Sequence, residues 1–422
     1  MPEYWAYTWL DAHRIRTIGE LSAHLVSASV IDDLKHCAES VIDTWRTPGV
    51  EKRPHSLIAG AGIDLSGRLD CNHTECRRAQ VTRLFRGACH YFQTIVARDA
   101  IAEDLNRHKS CPDGELRGRL LPHFETILIV RDLGAKALVE FLPRVPACFH
   151  HWQQHAREAG IQDIADRETE IVTQLLSETT IDLRRKSDDI LCTLNNPDFF
   201  HTQWVRFSHD RVRDQSEDQI KCAALQKVVR TFLVHLAADT KAAKMYGGAF
   251  GSTIPMFRKL LSNRSKKASN VAWEVELPVL TGLSTAQLVE VRLRYKESFD
   301  RFRKHLGSFL EDCIRNGVTE PVEIGSRVKA DLIDSELDEL RLHLKKAEQS
   351  LKKKSGYSLC LGALVATIGL TTGITAPAAA FGLLATVSAA SLSPGVSKYV
   401  DDIVQIKSDD MYFLLQAEAH FR

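Results

Sequence analysis

Apolar residues recur every three to four positions along most of this chain, and polar residues fill the positions between them. This spacing puts the apolar side chains on one face of a helix, which is typical of helices that pack on a protein core. The segments with this pattern are 1–58, 77–107, 149–160, 164–193 and 215–245. The pattern therefore predicts a mainly α protein with a multi-helix body.

One stretch, 124–142, departs from the helical pattern. Ile127–Val130 and Ala137–Phe141 are apolar and partly β-branched, and a polar segment with Gly134 separates them. These features predict a small β-hairpin, with a helix as the alternative.

A link rich in Gly, Ser and Pro runs from Met245 to Leu283. It predicts a loop between domains, with a short strand at Val271–Leu277. Within the link, the small residues of Gly247–Thr253 expose backbone N–H groups in the manner of a phosphate-binding loop. The segment lacks the Gly-Lys-Ser/Thr ending of that motif, so the sequence argues against a nucleotide site here.

The clearest periodicity follows the link, in residues 284–354. Ser284–Gln287 has the form of a capping box, with Gln three residues after Ser. The apolar positions of the first helix are Leu288, Val291, Tyr295, Phe299, Phe302, Leu306, Phe309 and Cys313, and those of the second are Leu337, Leu340, Leu344, Ala347 and Leu351. Two such helices with a short link predict a long antiparallel pair. We expect this pair to mediate self-association or to bind a partner protein.

The second helix leads into a long run without charged residues, Ser355–Ser397. Pro377 divides the run into halves that are each short and only moderately apolar for a membrane span. Small residues repeat at helical spacing in both halves, at Gly362, Ala366, Gly369, Gly373, Ala378, Gly382, Ala385 and Ala389. Because smooth faces let helix backbones approach closely, the run predicts a C-terminal Gly/Ala-rich hydrophobic hairpin.

The sequence allows three alternative locations for this hydrophobic hairpin. It can lie in a protein core or subunit interface, insert into a membrane only on a trigger, or anchor the protein permanently. Lysines flank it on both sides, at 352–354 and at Lys398. Positive flanks are typical of the cytoplasmic side of a membrane, so both ends are expected to stay in the cytoplasm. Membrane lipid is accordingly a predicted partner.

These elements divide the chain into five regions. They are a helical N-terminal region (1–115), a mainly helical middle region with the β-hairpin and the link (116–283), the helical pair (284–354), the hydrophobic hairpin (355–397) and a C-terminal tail (398–422).

Composition adds limits to this picture. A formal net charge of +1 argues against a general nucleic-acid coat. The ten cysteines are scattered and form no small-scaffold framework, which is typical of reduced thiols in the cytosol. The N-terminus has no basic segment followed by an apolar run, so no secretion signal is predicted. We therefore expect a cytoplasmic protein, with the inner face of the cell membrane as a second location.

Two candidate sites of chemistry lie near the first strong helix. Cys71, His73, Cys76 and His90 have the thiols and imidazoles that tetrahedral zinc prefers, although their spacing is not that of a standard finger. The alternative is a polar loop with a free thiol and a helix N-cap at Thr74. No other cofactor is predicted.

Arg83 and His90 form the second candidate, with six residues between them. An arginine and a histidine about two turns apart resemble the signature of HEPN-type helical ribonucleases. That resemblance implies an acid–base role for His90 and a phosphate-steadying role for Arg83. The alternative is an ordinary helix with a basic exposed face.

Three function classes follow from these features. The first is a membrane-acting protein, such as a toxin or defence effector, whose hydrophobic hairpin inserts into or permeabilises a membrane. In architecture alone this is similar to α-helical pore-forming proteins. The second is a helical nuclease or metal-dependent enzyme centred on Cys71–His90. The third is an interaction scaffold that buries the hydrophobic hairpin in protein.

Overall fold

A computed structural model describes residues 3–45, 51–65, 73–108, 111–142, 149–185, 188–261, 283–318, 321–354, 405–406, 409 and 411–415. The chain forms two compact units. The first contains Met1–Leu84, Thr94–Asp132 and Lys136–Ser265, and the second contains Phe85–Gln93, Leu133–Ala135 and Lys266–Arg422.

The first unit has a parallel sheet, a smaller antiparallel sheet and the helices packed on them. Its strands are β1 (Ser56–Ala59), β2 (Thr94–Arg98), β3 (Val139–Leu142), β4 (Thr180–Arg185), β5 (Asp189–Asn196), β6 (Phe200–Ser208) and β7 (Ala249–Gly251). Its helices are α1 (Trp5–Ala12), α2 (Ile18–His24), α3 (Ala28–Trp45), α4 (Thr74–Ala88), α5 (Ala100–Arg107), α6 (Asp113–Asp132), α7 (Trp152–Ala159), α8 (Gln162–Asp166), α9 (Glu168–Glu178), α10 (His209–Val212), α11 (Glu217–Tyr246) and α12 (Pro255–Leu261), and α4 extends into the second unit.

The parallel sheet has the strand order β3-β2-β1-β7. Leu57 of β1 pairs with Ile95 on one side and with Ala249 on the other. All four residues of β1 are buried. Parallel strands are covered on both faces and so lack the alternation that marks a half-exposed strand. Such short, mostly apolar strands are hard to tell from helix segments by periodicity, which explains why the sequence pattern did not predict this sheet.

The antiparallel sheet has the order β4-β5-β6. Buried Ile190, Cys192 and Leu194 alternate with more exposed residues along β5, so one face of this sheet lies on a core shared with α11. The helical prediction for 164–193 is therefore wrong beyond Glu178, where α9 ends. The alternation of apolar and polar residues along β5 was the available signal for a strand, but the residues on either side of it have helical spacing.

The predicted β-hairpin at 124–142 is also wrong. Ile127–Val130 is part of α6, where burial outweighs the weak helix propensity of β-branched residues. The second arm does form a strand, Val139–Leu142, but it pairs in parallel with β2. Likewise the helix predicted over 77–107 is interrupted, because β2 lies between α4 and α5.

The second unit contains the predicted helices of residues 284–354. They are α13 (Thr285–Arg294), α14 (Lys296–Arg315), α15 (Pro321–Arg327), a π-helical stretch (Val328–Asp334) and α16 (Ser335–Lys354). The capping box is confirmed, because Ser284 Oγ accepts from Gln287 N–H at 3.3 Å and Gln287 Oε1 accepts from Ser284 N–H at 2.9 Å. The first predicted helix is broken at Tyr295, whose backbone (φ −110°, ψ 41°) leaves the helical region.

The apolar positions of these helices are largely buried. Phe299, Phe302 and Leu306 have no exposed surface. Phe413, from the C-terminal segment 411–415, packs its ring 5.2 Å from that of Phe299. The second helix shows the same burial at its start, where Leu337 and Leu340 are at most 3% exposed. The periodicity thus correctly marked a packed face, although its pairing as an antiparallel helix pair stays a prediction.

Several predictions lie outside the described residues. These are the hydrophobic hairpin at 355–397 with its eight small packing residues, the strand at Val271–Leu277 and the tail beyond Leu415. None of the helices that the structure describes combines the length and the apolar character needed to cross a membrane.

Candidate functional site at the carboxyl edge of the parallel sheet

The chain order reverses between β1 and β7. From β1 the chain adds β2 and then β3 on one side, and it later returns to add β7 on the opposite side of β1. In open parallel sheets the crevice for a ligand lies at such a switch point, beyond the carboxyl ends of the strands. A ligand site is therefore expected at the turns that follow β1 and β7.

The turn after β1 contains two glycines that cannot be replaced without a clash. A Cβ on Gly60 would lie 2.3 Å from the Phe250 ring and 2.9 Å from the Gly251 carbonyl oxygen. Gly62 has φ +90°, and a Cβ there would lie 2.3 Å from Thr253 Oγ1. Glycine at both positions lets the two turns approach closely, which is also what a bound phosphate or ribose needs from a backbone.

Hydrogen bonds join the two turns directly. Gly60 N–H donates to the Gly251 carbonyl at 2.9 Å. Ser252 Oγ donates to the Ala61 carbonyl at 2.6 Å and accepts from Ile254 N–H at 3.2 Å. The carboxyl edge at β1 and β7 is thus a fixed arrangement of backbone groups and small side chains.

Two buried polar side chains complete this site, one from each flanking helix. Asp239 of α11 is 3% exposed, and its Oδ2 accepts from Ala61 N–H at 2.9 Å. Gln80 of α4 is 7% exposed, and its Nε2 donates to the Gly62 carbonyl at 2.8 Å. The other atom of that amide, Oε1, is buried and has no hydrogen-bond partner among the described residues. A buried acceptor without a donor is costly, so it indicates a group that a ligand supplies.

The turn also contains a non-glycine residue in a left-handed conformation. Leu65 has φ +54° and is 1% exposed. Gly60, Gly62 and Leu65 have the spacing of the glycines in the dinucleotide-binding motif G-x-G-x-x-G. The first two positions match, and at the third a leucine stands instead, in a backbone conformation that is costly for a bulky side chain. The motif is therefore incomplete, although its geometry is partly kept.

A different arrangement covers the carboxyl end of β2. Asp99, directly after this strand, is fully buried and accepts hydrogen bonds from Tyr4 Oη and Trp5 Nε1, each at 2.7 Å, and from Ala102 N–H at 3.0 Å. Tyr4 also stacks on Phe141 of β3 at 4.2 Å between ring centroids. Burial is the main cause that raises the pKa of Asp99 from its ordinary 3.8 to about 6. Helix α1 thus closes this end, and Asp99 has a structural role.

The predicted zinc ligands do not come together in the described residues. His73 and Cys76 are exposed and His90 is 2% exposed, while Cys71 lies outside the described residues. In the part of the chain that the structure describes, no group of three or more His, Cys, Asp or Glu side chains is placed to hold a metal ion. Because one of its four ligands is not described, the zinc site stays a prediction.

The two residues of the predicted ribonuclease pair differ from each other in solvent exposure. Arg83 is exposed on α4. His90 lies beyond the last residue of that helix, Ala88, and is buried. Burial keeps His90 from contact with a large substrate such as RNA in this conformation, and an acid–base role for it stays a prediction.

Periodicity alone did not reveal the site around Gly60 and Asp239. Its available signal was the apolar run of β1, directly followed by Gly-Ala-Gly, with the next helix beginning at Thr74. The small residues of Gly247–Thr253 were a second signal, since this segment contains β7 and the turn after it. The missing Gly-Lys-Ser/Thr ending led the sequence prediction away from a nucleotide site there. Neither segment is a complete motif by itself, and only the sheet brings them together.

Comparisons of this chain with models of protein families, with curated proteins and with solved structures found no match. Its function is therefore inferred from the geometry of the site.

Proposed function

We propose that the first unit binds a nucleotide, of the dinucleotide class, at the carboxyl edge of its parallel sheet. The observation that carries this proposal is the meeting of two small-residue turns, Gly60–Gly62 and Ser252–Thr253, at the point where the strand order reverses. A dinucleotide has two ribose–phosphate halves and suits a crevice between two such strand ends.

The polar groups of the site fit the sugar part of this ligand. Asp239 and the Oε1 atom of Gln80 are hydrogen-bond acceptors, and ribose hydroxyls and base amino groups are donors. The buried carboxylate of Asp239 already accepts from Ala61 N–H, so it disfavours a phosphate at that amide. We therefore assign ribose to the Asp239 side of the crevice.

Thermal unfolding of the full chain tests the proposal with two probes, NAD⁺ and ATP. A ligand at about 100 times its dissociation constant stabilises the folded state by about 2.7 kcal/mol, enough to raise the midpoint by several degrees. We expect NAD⁺ to give the larger rise. If neither probe changes the midpoint or gives heat in a titration, the proposal is wrong.

Gln80→Met is expected to remove most of the NAD⁺-dependent rise. The change deletes the unpartnered acceptor and the hydrogen bond to Gly62 while keeping an unbranched side chain of similar length. Titration calorimetry with NAD⁺ measures the loss. Arg78→Met, at an exposed position on the same helix, is the matched control and should bind as the wild type does. Equal affinity of the Gln80 and Arg78 variants would contradict the assignment.

The uncharged run at 355–397 favours a second function, that of a membrane-acting protein. The run directly follows α16, whose last three residues are lysines. We propose that this segment is a helical hairpin that inserts into or permeabilises a membrane, as a toxin or defence effector would.

Substitution of its small residues tests the second proposal. Gly369→Leu with Gly373→Leu is expected to abolish entry of a membrane-impermeant dye into cells that express the full chain, because bulky side chains prevent close helix packing. Thr367→Leu, on the opposite side of the predicted helix, is the control and should leave dye entry unchanged. Dye entry that persists in the double variant at normal protein level would contradict this second proposal.

A further inference from the structure

The second unit buries two arginines whose charge is incompletely neutralised. Arg292 of α13 is 2% exposed, and Arg303 of α14 is 5% exposed. In both guanidinium groups the Nε atom is buried and has no hydrogen-bond partner among the described residues. Buried guanidinium groups are normally paired with acceptors, since an unpaired buried charge costs several kcal/mol.

The surroundings of Arg292 supply packing and, among the described residues, one acidic side chain, Asp300, which acts on Arg292 without forming an ion pair with it. Its guanidinium carbon lies 3.3 Å from the centroid of the Phe299 ring, which covers one face of the group. No ion pair in the described part of the chain includes Arg292. Cys89, close enough to interact with it, is a buried thiol whose pKa burial raises to about 12, so it stays neutral at physiological pH.

Arg303 has one weak partner. Asp300 Oδ1 lies 4.0 Å from its Nε, and the same oxygen accepts a hydrogen bond from Gln93 Nε2 at 3.0 Å. Burial is the main cause that lowers the pKa of Arg292 to about 10, and the nearby positive charge of Arg303 lowers it further. Arg292 therefore stays charged at neutral pH. Among the described residues the two guanidinium groups share the single carboxylate of Asp300, which leaves an excess of one positive charge.

We infer that Arg292 and Arg303 form a binding site for a small tetrahedral oxyanion, of the inorganic phosphate and sulfate class. A tetrahedral anion has acceptor oxygens in several directions and can bridge two guanidinium groups, for which arginine has the fitting donor geometry. The near-complete burial of both side chains favours a free ion over a bulky phosphate ester. This site lies in the second unit and does not depend on the nucleotide proposal.

The test is thermal unfolding of the full chain in phosphate-free buffer, with sodium phosphate or sulfate added at constant ionic strength. We expect a saturable rise of the midpoint with phosphate, and no rise with glycerol 3-phosphate at the same concentration. Arg292→Met should lose the saturable rise. An equal rise with the ester would overturn the claim that the site takes a free ion, and a rise that persists in Arg292→Met would overturn the site.

A basic surface pocket on the same helix provides the matched control. It has a volume of about 260 Å³ and is lined by Arg301, Lys304, His305 and Ser308. Lys304→Met removes charge from this pocket and should leave the phosphate response unchanged. Loss of the response in Lys304→Met but not in Arg292→Met would place the ion on the surface and overturn the inference.

A direct measurement decides the question if Arg292→Met fails to fold. Equilibrium dialysis of the wild-type chain against labelled phosphate should show about one ion bound per chain, as expected for a single closed site. Arg303→Met should reduce the bound fraction. Absence of saturable binding to the wild-type protein would overturn the inference by itself.

Discussion

Gly60→Ala is expected to abolish nucleotide binding and to destabilise the first unit by about 1–3 kcal/mol, the usual cost of overpacking a close-packed site. The added methyl group would lie 2.3 Å from the Phe250 ring, and 2.9 Å from both the Gly251 carbonyl oxygen and Asp239 Oδ2. A ring can rotate, but the carbonyl belongs to β7 and the carboxylate is held by Ala61 N–H. β1 and β7 must therefore separate at the edge where the ligand is proposed to bind.

Two measurements separate the effects of Gly60→Ala. Urea unfolding gives the stability change, and titration of NAD⁺ at a temperature where the variant is folded gives the binding change. Gly118→Ala, at an exposed position inside α6 with no atom within 4 Å of the new methyl group, is the control. It should bind normally and gain about 0.5–1 kcal/mol, since alanine is the better helix former. Normal NAD⁺ affinity in Gly60→Ala would contradict the proposed site.

The helical part of this fold could be predicted because its signal is local. α11 and α13 each begin with a capping box and continue with apolar residues at helical spacing. The signal for each helix therefore lies within one continuous segment of the sequence. The parallel sheet could not be predicted in this way. β1 has four residues and β7 three, and the partners that stabilise them lie far away in the chain, as Ile58 and Phe250 do.

The same distinction applies to the site. Gly60 and Gly62 follow an apolar run and could be suspected from the sequence, but Asp239 could not. It lies in the interior of the 30-residue helix α11, among residues with ordinary helical spacing. Its importance comes from the sheet, which brings the turn after β1 against that helix. Residues whose role depends on long-range contacts of this kind leave no local pattern.

Asp99→Ala is expected to destabilise the first unit by about 3 kcal/mol and to release α1 from the sheet. The alanine leaves three donors without an acceptor, namely Tyr4 Oη, Trp5 Nε1 and Ala102 N–H. Each unsatisfied buried donor costs about 1–3 kcal/mol, partly offset because Tyr4 and Trp5 can reach water once α1 moves. Urea unfolding measures the loss, and hydrogen exchange of the amides of residues 5–12 measures the release of the helix.

Asp99→Asn is the matched variant, because it keeps the shape of the side chain and removes the charge. The amide oxygen can still accept from Tyr4 and Ala102, which both bond to Oδ1, whereas the amide nitrogen would face the indole N–H of Trp5. We expect a smaller loss than in Asp99→Ala. A loss equal to that of the alanine variant would contradict the role of Asp99 as the acceptor for Tyr4 and Ala102.

The pKa of Asp99 also predicts how the stability of the protein depends on pH. The pKa of Asp99 is raised from 3.8 to about 6 on folding, first by burial and further by the nearby charge of Glu103. A raised carboxyl pKa means that the folded state binds the proton more tightly. This contribution to stability is therefore fully present below about pH 4 and is lost as the pH rises through about 6. Asp99→Asn cannot titrate, so the difference in unfolding free energy between wild type and Asp99→Asn should fall over this interval and stay constant above it. A difference that does not change between about pH 4 and about pH 7 would contradict the burial of an ionisable Asp99 beneath Tyr4 and Trp5.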